Sequence, residues 1–211
     1  MTLITLMAIV KTFTPGENTF LLVWKITEDA ETLNNYLHNI SDHQTTTPKT
    51  NLHWLASRAA LSTHFGLDAV IVINKDIYNR PSMTVNGVKY HLSITHSSNY
   101  AAVLFSKFRN VALDLEKVDA RVGRVAHKFI NSAEEEMLQQ TKNLIHDQTL
   151  IWSAKETLYK FYGQKELDFK KHMTIFTQQP ELRGCLHINT PIFFKMYDEL
   201  LDGFILTYMI E

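Results

Sequence analysis

With 211 residues, 45% hydrophobic and 11% aromatic content, the chain can bury one substantial core or two smaller ones, which argues against a disordered chain. Its formal net charge of -1 provides no global basic field for nucleic acid, so an acidic partner needs a local basic patch. The single cysteine, Cys185, excludes an internal disulfide framework, no apolar run reaches membrane-spanning length, and Met1–Val10 lacks the positive start of a secretory signal; a cytoplasmic protein is expected.

In chain order, residues 3–10 and 19–26 read as strands joined across Thr14-Pro-Gly-Glu17, a turn signal. Glu28–Leu37 reads as a short helix with Thr27 as its N-cap. Residues 41–48 form a polar loop, and a helix follows over 49–65, ended by Gly66 in a left-handed conformation. Val70–Ile73 is a short buried strand. Met83–Tyr90 is a hairpin whose Asn86-Gly87 supplies the positive φ values of a type I′ turn. Residues 100–105 and 110–116 read as adjacent antiparallel strands. Asp119–Phe129 and Ser132–Gln140 read as helices, the second opened by the capping box Ser132-Ala-Glu-Glu135. A helix over 146–162 is ended by Gly163, and strands are expected at 172–177, 182–188, 191–197 and 203–210.

The helix around Leu150–Lys160 organises the chain. Residues four apart share a helix face, so Trp152, Glu156 and Lys160 line up, with Lys155 beside Glu156. Ile151, Ala154 and Leu158 fall on the other side and can pack inward. Alone, this is an ordinary surface helix with charge pairs. Asn110–Lys117 reads as a strand on which Asp114 and Glu116 point one way and Val111, Leu113 and Leu115 the other. Such a pair is either a solvated face or half of a divalent-metal site. Two carboxylates about 4 Å apart repel by roughly 4 kcal/mol at an effective dielectric of about 20. If Glu156 meets this pair, the three persist together only with a cation among them or with raised pKa values.

The strand Val111-Ala-Leu-Asp-Leu-Glu116, the helix motif Trp152-Ser-Ala-Lys-Glu-Thr-Leu-Tyr-Lys160 and the upstream Leu92-Ser-Ile-Thr-His-Ser97 together resemble the signature of the 4′-phosphopantetheinyl transferase superfamily. The length resembles that of its long, two-subdomain, surfactin-synthetase-activating class. The resemblance implies an α+β protein, monomeric, of two similar pseudo-twofold lobes, residues 1–106 and 107–211. Each lobe would be a small antiparallel sheet packed on a long helix, with the active site at the lobe interface. The implied activity, of the holo-[acyl-carrier-protein] synthase type, moves the phosphopantetheine arm of coenzyme A onto a serine of an acyl, peptidyl or aryl carrier protein, releasing adenosine 3′,5′-bisphosphate.

By resemblance, Asp114, Glu116 and Glu156 are the Mg²⁺ ligands, and Glu156 is also the base for the serine, directly or through water. Lys155 and Lys160 lie near the phosphates, Lys160 steadying charge as the pyrophosphate bond breaks. Lys49, Arg80, Thr95 and His96 contact coenzyme A, the lobe of residues 1–106 supplying its nucleotide contacts. Thr95 stands where the family commonly has Ser, and Ala112 where it has Gly. Some relatives carry two lysines on an early helix for the 3′-phosphate; this chain has no base in Leu33–Leu37, leaving Lys49 and His96 for that role. Arg58 reads as a structural brace.

Lys117, Arg121, Arg124, His127 and Lys128, interleaved with Val122, Val125 and Phe129, make a basic rim around an apolar centre, suited to the acidic helix of a carrier protein. The 10 histidines show no zinc spacing, and Cys185 has no activating neighbour in sequence. Two rival readings stay open: a catalytically weak relative that binds coenzyme A or a carrier domain without efficient transfer, and a different metal-dependent phosphotransferase or phosphodiesterase.

Overall fold

The computed structural model describes residues 9–42, 50–164, 166–177 and 181–211. Lys49 and the expected strand residues 3–8 lie outside them. The first strands, β1 (Ile9–Gly16) and β2 (Thr19–Lys25), form a hairpin. Its turn is centred on Glu17-Asn18, with Asn18 at φ +50, rather than on Pro15. Helix α1 (Ala30–Asn34) is shorter than expected and is capped by Asp29, whose side chain accepts from the Thr32 amide, not by Thr27. Strand β3 (Ile40–Asp42) runs into the segment expected to be loop, whose remaining residues 43–48 lie outside the described residues. Helix α2 (Leu52–Phe65) is capped by Asn51, and Gly66 ends it at φ +86, ψ +154, outside the left-handed helical well.

Strands β4 (Ile71–Lys75), β5 (Pro81–Val85), β6 (Val88–Ser97) and β7 (Tyr100–Ser106) follow. Asn86 and Gly87, at φ +48 and +80, make the expected I′ turn between β5 and β6. The sheet runs β1-β2-β7-β6-β5-β4-β3, all antiparallel except β3 on β4. It is thus larger than the small sheet expected, and mixed. Leu55, Ala56, Ala59 and Ala60 of α2 pack into its core with Trp24, Ile71, Ile73, Met83 and Phe105. The short alanine side chains let the helix lie close on the sheet.

Strand β8 (Val111–Lys117) does not extend that sheet. It is followed by α3 (Arg121–Val125), a 3₁₀ turn over Ala126–Lys128, α4 (Ser132–Leu138) and α5 (Leu144–Tyr162). The capping box of α4 is Asn131 with Glu134, one residue earlier than the Ser132 pattern. Asn131 supplies the extended backbone a cap needs. Gly163, at φ +69, ends α5 in the left-handed well. A short α6 (Phe169–His172) leads into β9 (Met173–Phe176), β10 (Arg183–Leu186), β11 (Ile192–Lys195), β12 (Tyr197–Leu201) and β13 (Phe204–Ile210). Two three-stranded sheets result, β11-β10-β9 and β12-β13-β8. Strands β7 and β8, expected to be neighbours, therefore lie in different sheets. The α+β class holds. The chain divides into two compact units between Val111 and Ala112. Among the described residues, no helix is long and apolar enough to cross a membrane.

Candidate active site

Helix α5 is fastened to β13 by hydroxyl groups. The Ser153 and Thr157 hydroxyls lie 2.9 and 2.7 Å from the Thr207 hydroxyl. Ile151, Ala154 and Leu158, each fully buried, fill the core below with Met173, Ile205 and Met209. Because β8 is the next strand beyond β13, the other face of α5 meets the acidic strand.

The meeting is residue by residue. Trp152 Nε1 donates to Glu116 Oε1 at 3.0 Å, and two turns later Lys160 Nζ donates to Asp114 Oδ1 at 2.7 Å and to the Leu113 carbonyl at 3.2 Å. Glu156 stands between them on the same stripe. The spacing that aligned Trp152, Glu156 and Lys160 thus brings all three to Asp114 and Glu116 in one unit.

The electrostatics follow from crowding acids in a partly dry setting. Burial first, then the Asp114 charge, pushes the Glu156 carboxyl up to about 7; Lys160 pulls it down and Glu116 pushes it up further. Glu116 is raised for the same two reasons, against the Trp152 hydrogen bond and Lys160. Among the described residues, Lys160 is the ammonium that acts on Glu116 and Glu156 and bonds Asp114, and the raised carboxyls favour a proton or added positive charge. The donor set is carboxylate oxygen alone, which suits a hard divalent cation. Among the described residues, no three His, Cys, Asp or Glu side chains are gathered as metal ligands; Asp114 is turned to Lys160 and Glu116 to Trp152.

Lys155 differs from the expectation. Its side chain is wholly enclosed, and Nζ donates to Glu134 Oε2 at 2.7 Å, the Phe129 carbonyl at 2.5 Å and the Phe169 carbonyl at 2.9 Å. It sits four residues after Ile151 and three before Leu158, and so shares their buried stripe. All three of its donors are used by the protein, and a phosphate reaches it only by displacing one of these acceptors. The Glu134 carboxylate also accepts from the Asn131 and Ile175 amides. Glu134 was missed because it reads as one of three consecutive acids in a solvated run; its position as the capping-box glutamate was the available signal.

Of the expected coenzyme contacts, Arg80, Thr95 and His96 lie in the first unit. Thr95 is buried within β6, and His96, at its end, is exposed. The His96 ring stacks on His53 of α2, a partner sequence reasoning did not identify. Arg80 donates to Asp76 Oδ2 at 2.8 Å, half-exposed. Arg58 is a brace: it is buried, donates to Asp42 Oδ2 at 2.7 Å and lies over the Trp54 ring. Lys49 lies outside the described residues. In the basic cluster, Arg121, Arg124, His127 and Lys128 are exposed around Val125, with Val122 half-buried. Phe129 is not part of that surface; it is buried against Trp152, ring centroids 5.0 Å apart. Cys185 is buried with Sγ 3.8 Å from His187 Nδ1, and burial pushes its thiol up, opposite to what a nucleophile needs.

No curated protein matches the chain. Among solved structures, the holo-[acyl-carrier-protein] synthase of Thermotoga maritima is similar at 15% identity and a TM-score of 0.41, over 47% of this chain and 61% of that one, so the likeness spans less than two thirds of that protein's length. Residues 110–208, the segment that carries Asp114, Glu116, Trp152, Glu156 and Lys160, match the family model of the 4′-phosphopantetheinyl transferase superfamily.

Proposed function

We propose that the protein transfers the 4′-phosphopantetheine arm of coenzyme A to a serine of an apo carrier protein, in a Mg²⁺-dependent reaction. The observation that carries this reading is Glu156. It is a carboxylate with a pKa pushed to about 7, set between two further acids and a lysine inside the segment the family model matches. In the metal-free protein this raised carboxyl, crowded by two further acids, is relieved by a proton or by a divalent cation, which fits the Mg²⁺ dependence proposed.

In this reading the serine oxygen attacks the phosphorus that carries the pantetheine arm. The bond from that phosphorus to the adenosine bisphosphate oxygen breaks, and the serine proton passes to Glu156. Lys160 would steady charge on the leaving pyrophosphate oxygen. Asp114, Glu116 and Glu156 would hold the Mg²⁺, Asp114 exchanging Lys160 and Glu116 exchanging Trp152 for the ion. The ion, when bound, supplies charge neutralisation at the phosphates. Coenzyme contacts are assigned to Arg80, Thr95 and His96 in residues 1–106, and the metal and base to residues 107–211. Lys155 is reassigned as a structural lysine. The carrier docks at Arg121, Arg124 and Lys128 around Val125. The setting is cytoplasmic.

The test is intact-mass spectrometry of an apo acyl carrier protein incubated with the chain, coenzyme A and Mg²⁺. A gain of one phosphopantetheinyl group that disappears with EDTA supports the reading. Coenzyme A binding without any gain across a panel of carriers replaces it with the non-catalytic binder. No gain, with neither coenzyme nor carrier bound, refutes both.

A further inference from the structure

His96 occupies the end of β6, in the row of side chains that continues Leu92 and Ile94 on the face covered by α2. Leu92 and Ile94 belong to the first core, and His96 lies past its edge, exposed. His53, in the first turn of α2, lies over it. The two imidazoles are near parallel, 9° between planes, with centroids 4.4 Å apart.

His53 is itself fixed from a second direction. Its Nε2 is 2.5 Å from the carbonyl oxygen of Ser98, in the turn between β6 and β7. A carbonyl only accepts, so the Nε2 of His53 carries the proton and donates. Ser98 has φ +51, a conformation set by the tight turn Ser98-Asn99. One edge of His53 is thus anchored to that turn, and its face lies flat on His96. A ring stacked in this way keeps one plane, so the edge nitrogens of His96 point in fixed directions instead of sweeping with χ rotation.

We propose that His53 is a positioning residue, which orients the His96 imidazole to receive an anionic phosphate group of the coenzyme. The inference rests on the reading of His96 as a coenzyme contact, and it adds a residue on another element that this reading did not contain. A stacked aromatic pair contributes enough to alter ligand affinity roughly three- to tenfold when one ring is removed.

The test uses the full chain, with coenzyme A as the titrant in calorimetry and in steady-state transfer. His53→Ala should weaken coenzyme A binding and raise its KM by roughly three- to tenfold, with kcat at saturating coenzyme nearly unchanged. His53→Phe, which retains a flat ring without the Ser98 hydrogen bond, should restore most of the affinity. His53→Gln, which keeps a donor for Ser98 but has no ring, should bind as weakly as the alanine variant. The phenylalanine and glutamine variants decide the matter even if His53→Ala fails to fold. A second readout needs no coenzyme: the ring protons of His96 should lose their ring-current shift in His53→Gln and keep one in His53→Phe. Unchanged affinity in His53→Gln alongside a clear loss in His96→Ala overturns the positioning role and leaves the His96 contact standing. Unchanged affinity in His96→Ala overturns the contact, and the positioning role with it. Equal losses in the phenylalanine and glutamine variants show that the ring is irrelevant and also overturn the proposal.

Discussion

Replacing Lys155 by methionine tests the reassignment of that lysine directly. Its ammonium and the Glu134 carboxylate are both fully enclosed, 2.7 Å apart. Methionine fills similar volume but leaves the carboxylate with the Asn131 and Ile175 amides as its partners. It also removes the donor that served the Phe129 and Phe169 carbonyls. Breaking a buried pair from one side costs about 3–5 kcal/mol, a large part of the ~5–15 kcal/mol by which domains are stable. In a unit of roughly 100 residues that is a fall in Tm of at least roughly 12 °C. The double variant Lys155→Met with Glu134→Gln removes both charges and should recover about half of the loss. Urea unfolding followed by circular dichroism and tryptophan fluorescence measures all three proteins; Trp152 lies between Phe129 and Phe169 and reports the unit.

The pH dependence adds a control. Burial already holds the Glu134 carboxyl above its ordinary value, against the pull of Lys155. Without the lysine its folded pKa rises further above the unfolded one. The single variant is then most stable below the unfolded carboxylate value, about 4.5, and loses stability as the pH rises through the folded value. Its deficit against the wild type should therefore shrink toward acid. A variant within about 1 kcal/mol of the wild type, or one whose only defect is weak coenzyme A binding, refutes the structural assignment and returns Lys155 to the phosphates.

Three further outcomes are expected. Glu156→Gln should abolish carrier modification with the fold intact; because the native carboxyl is pushed up to about 7 from its ordinary 4.5, the metal-free wild type should lose stability as pH rises from about 4.5 through about 7, and the variant should lack that decline. Undiminished turnover or an unchanged pH–stability curve refutes one or the other claim. Charge reversal at Arg121 and Arg124 should raise the KM for an acidic carrier in a salt-dependent way and leave coenzyme A affinity unaltered; an equal carrier KM removes the docking assignment. Gly184→Ala places a Cβ 2.9 Å from Met196 Sδ and 3.0 Å from Leu158 Cδ2, overpacking that should cost about 1–3 kcal/mol in thermal or urea unfolding; a stability equal to the wild type means that Met196 yields.

The parts of the fold set by local rules were legible. Helix α5 and its Gly163 stop, the Asn86-Gly87 turn and the alternation of β8 all follow from periodicity and turn chemistry. So did the key stripe of the site, since helical spacing alone aligned Trp152, Glu156 and Lys160. What escaped depended on distant partners. Strand β8 was assigned to β7 because adjacent strands usually pair, whereas its hydrogen-bonding neighbour is β13. Strand β12 was missed although Asp202-Gly203, at φ +49 and +79, marks the I′ turn of its hairpin with β13. Lys155 reads by its charge as a phosphate ligand, whereas its register with Ile151 and Leu158 buries it, and the Glu134 carboxylate with the Phe129 and Phe169 carbonyls makes that register tolerable. His53 carried no signal, because nothing local ties the first turn of α2 to the end of β6.

The pairing of β8 with β13 also has a temporal side. During synthesis, the strand with Asp114 and Glu116 leaves the ribosome well before Phe204–Ile210 exists. At ordinary elongation rates the interval is roughly five to twenty seconds. Through that time α5 can form, but the strand it must face lacks β13, its ladder partner among the described strands. The ring that β8 and β13 close encloses nearly the whole second unit, a late and high-contact-order event. A nascent or truncated chain that stops before Phe204 would contain every acid and lysine of the cluster yet have no assembled cluster, so competence would arrive all at once, with the closing strand.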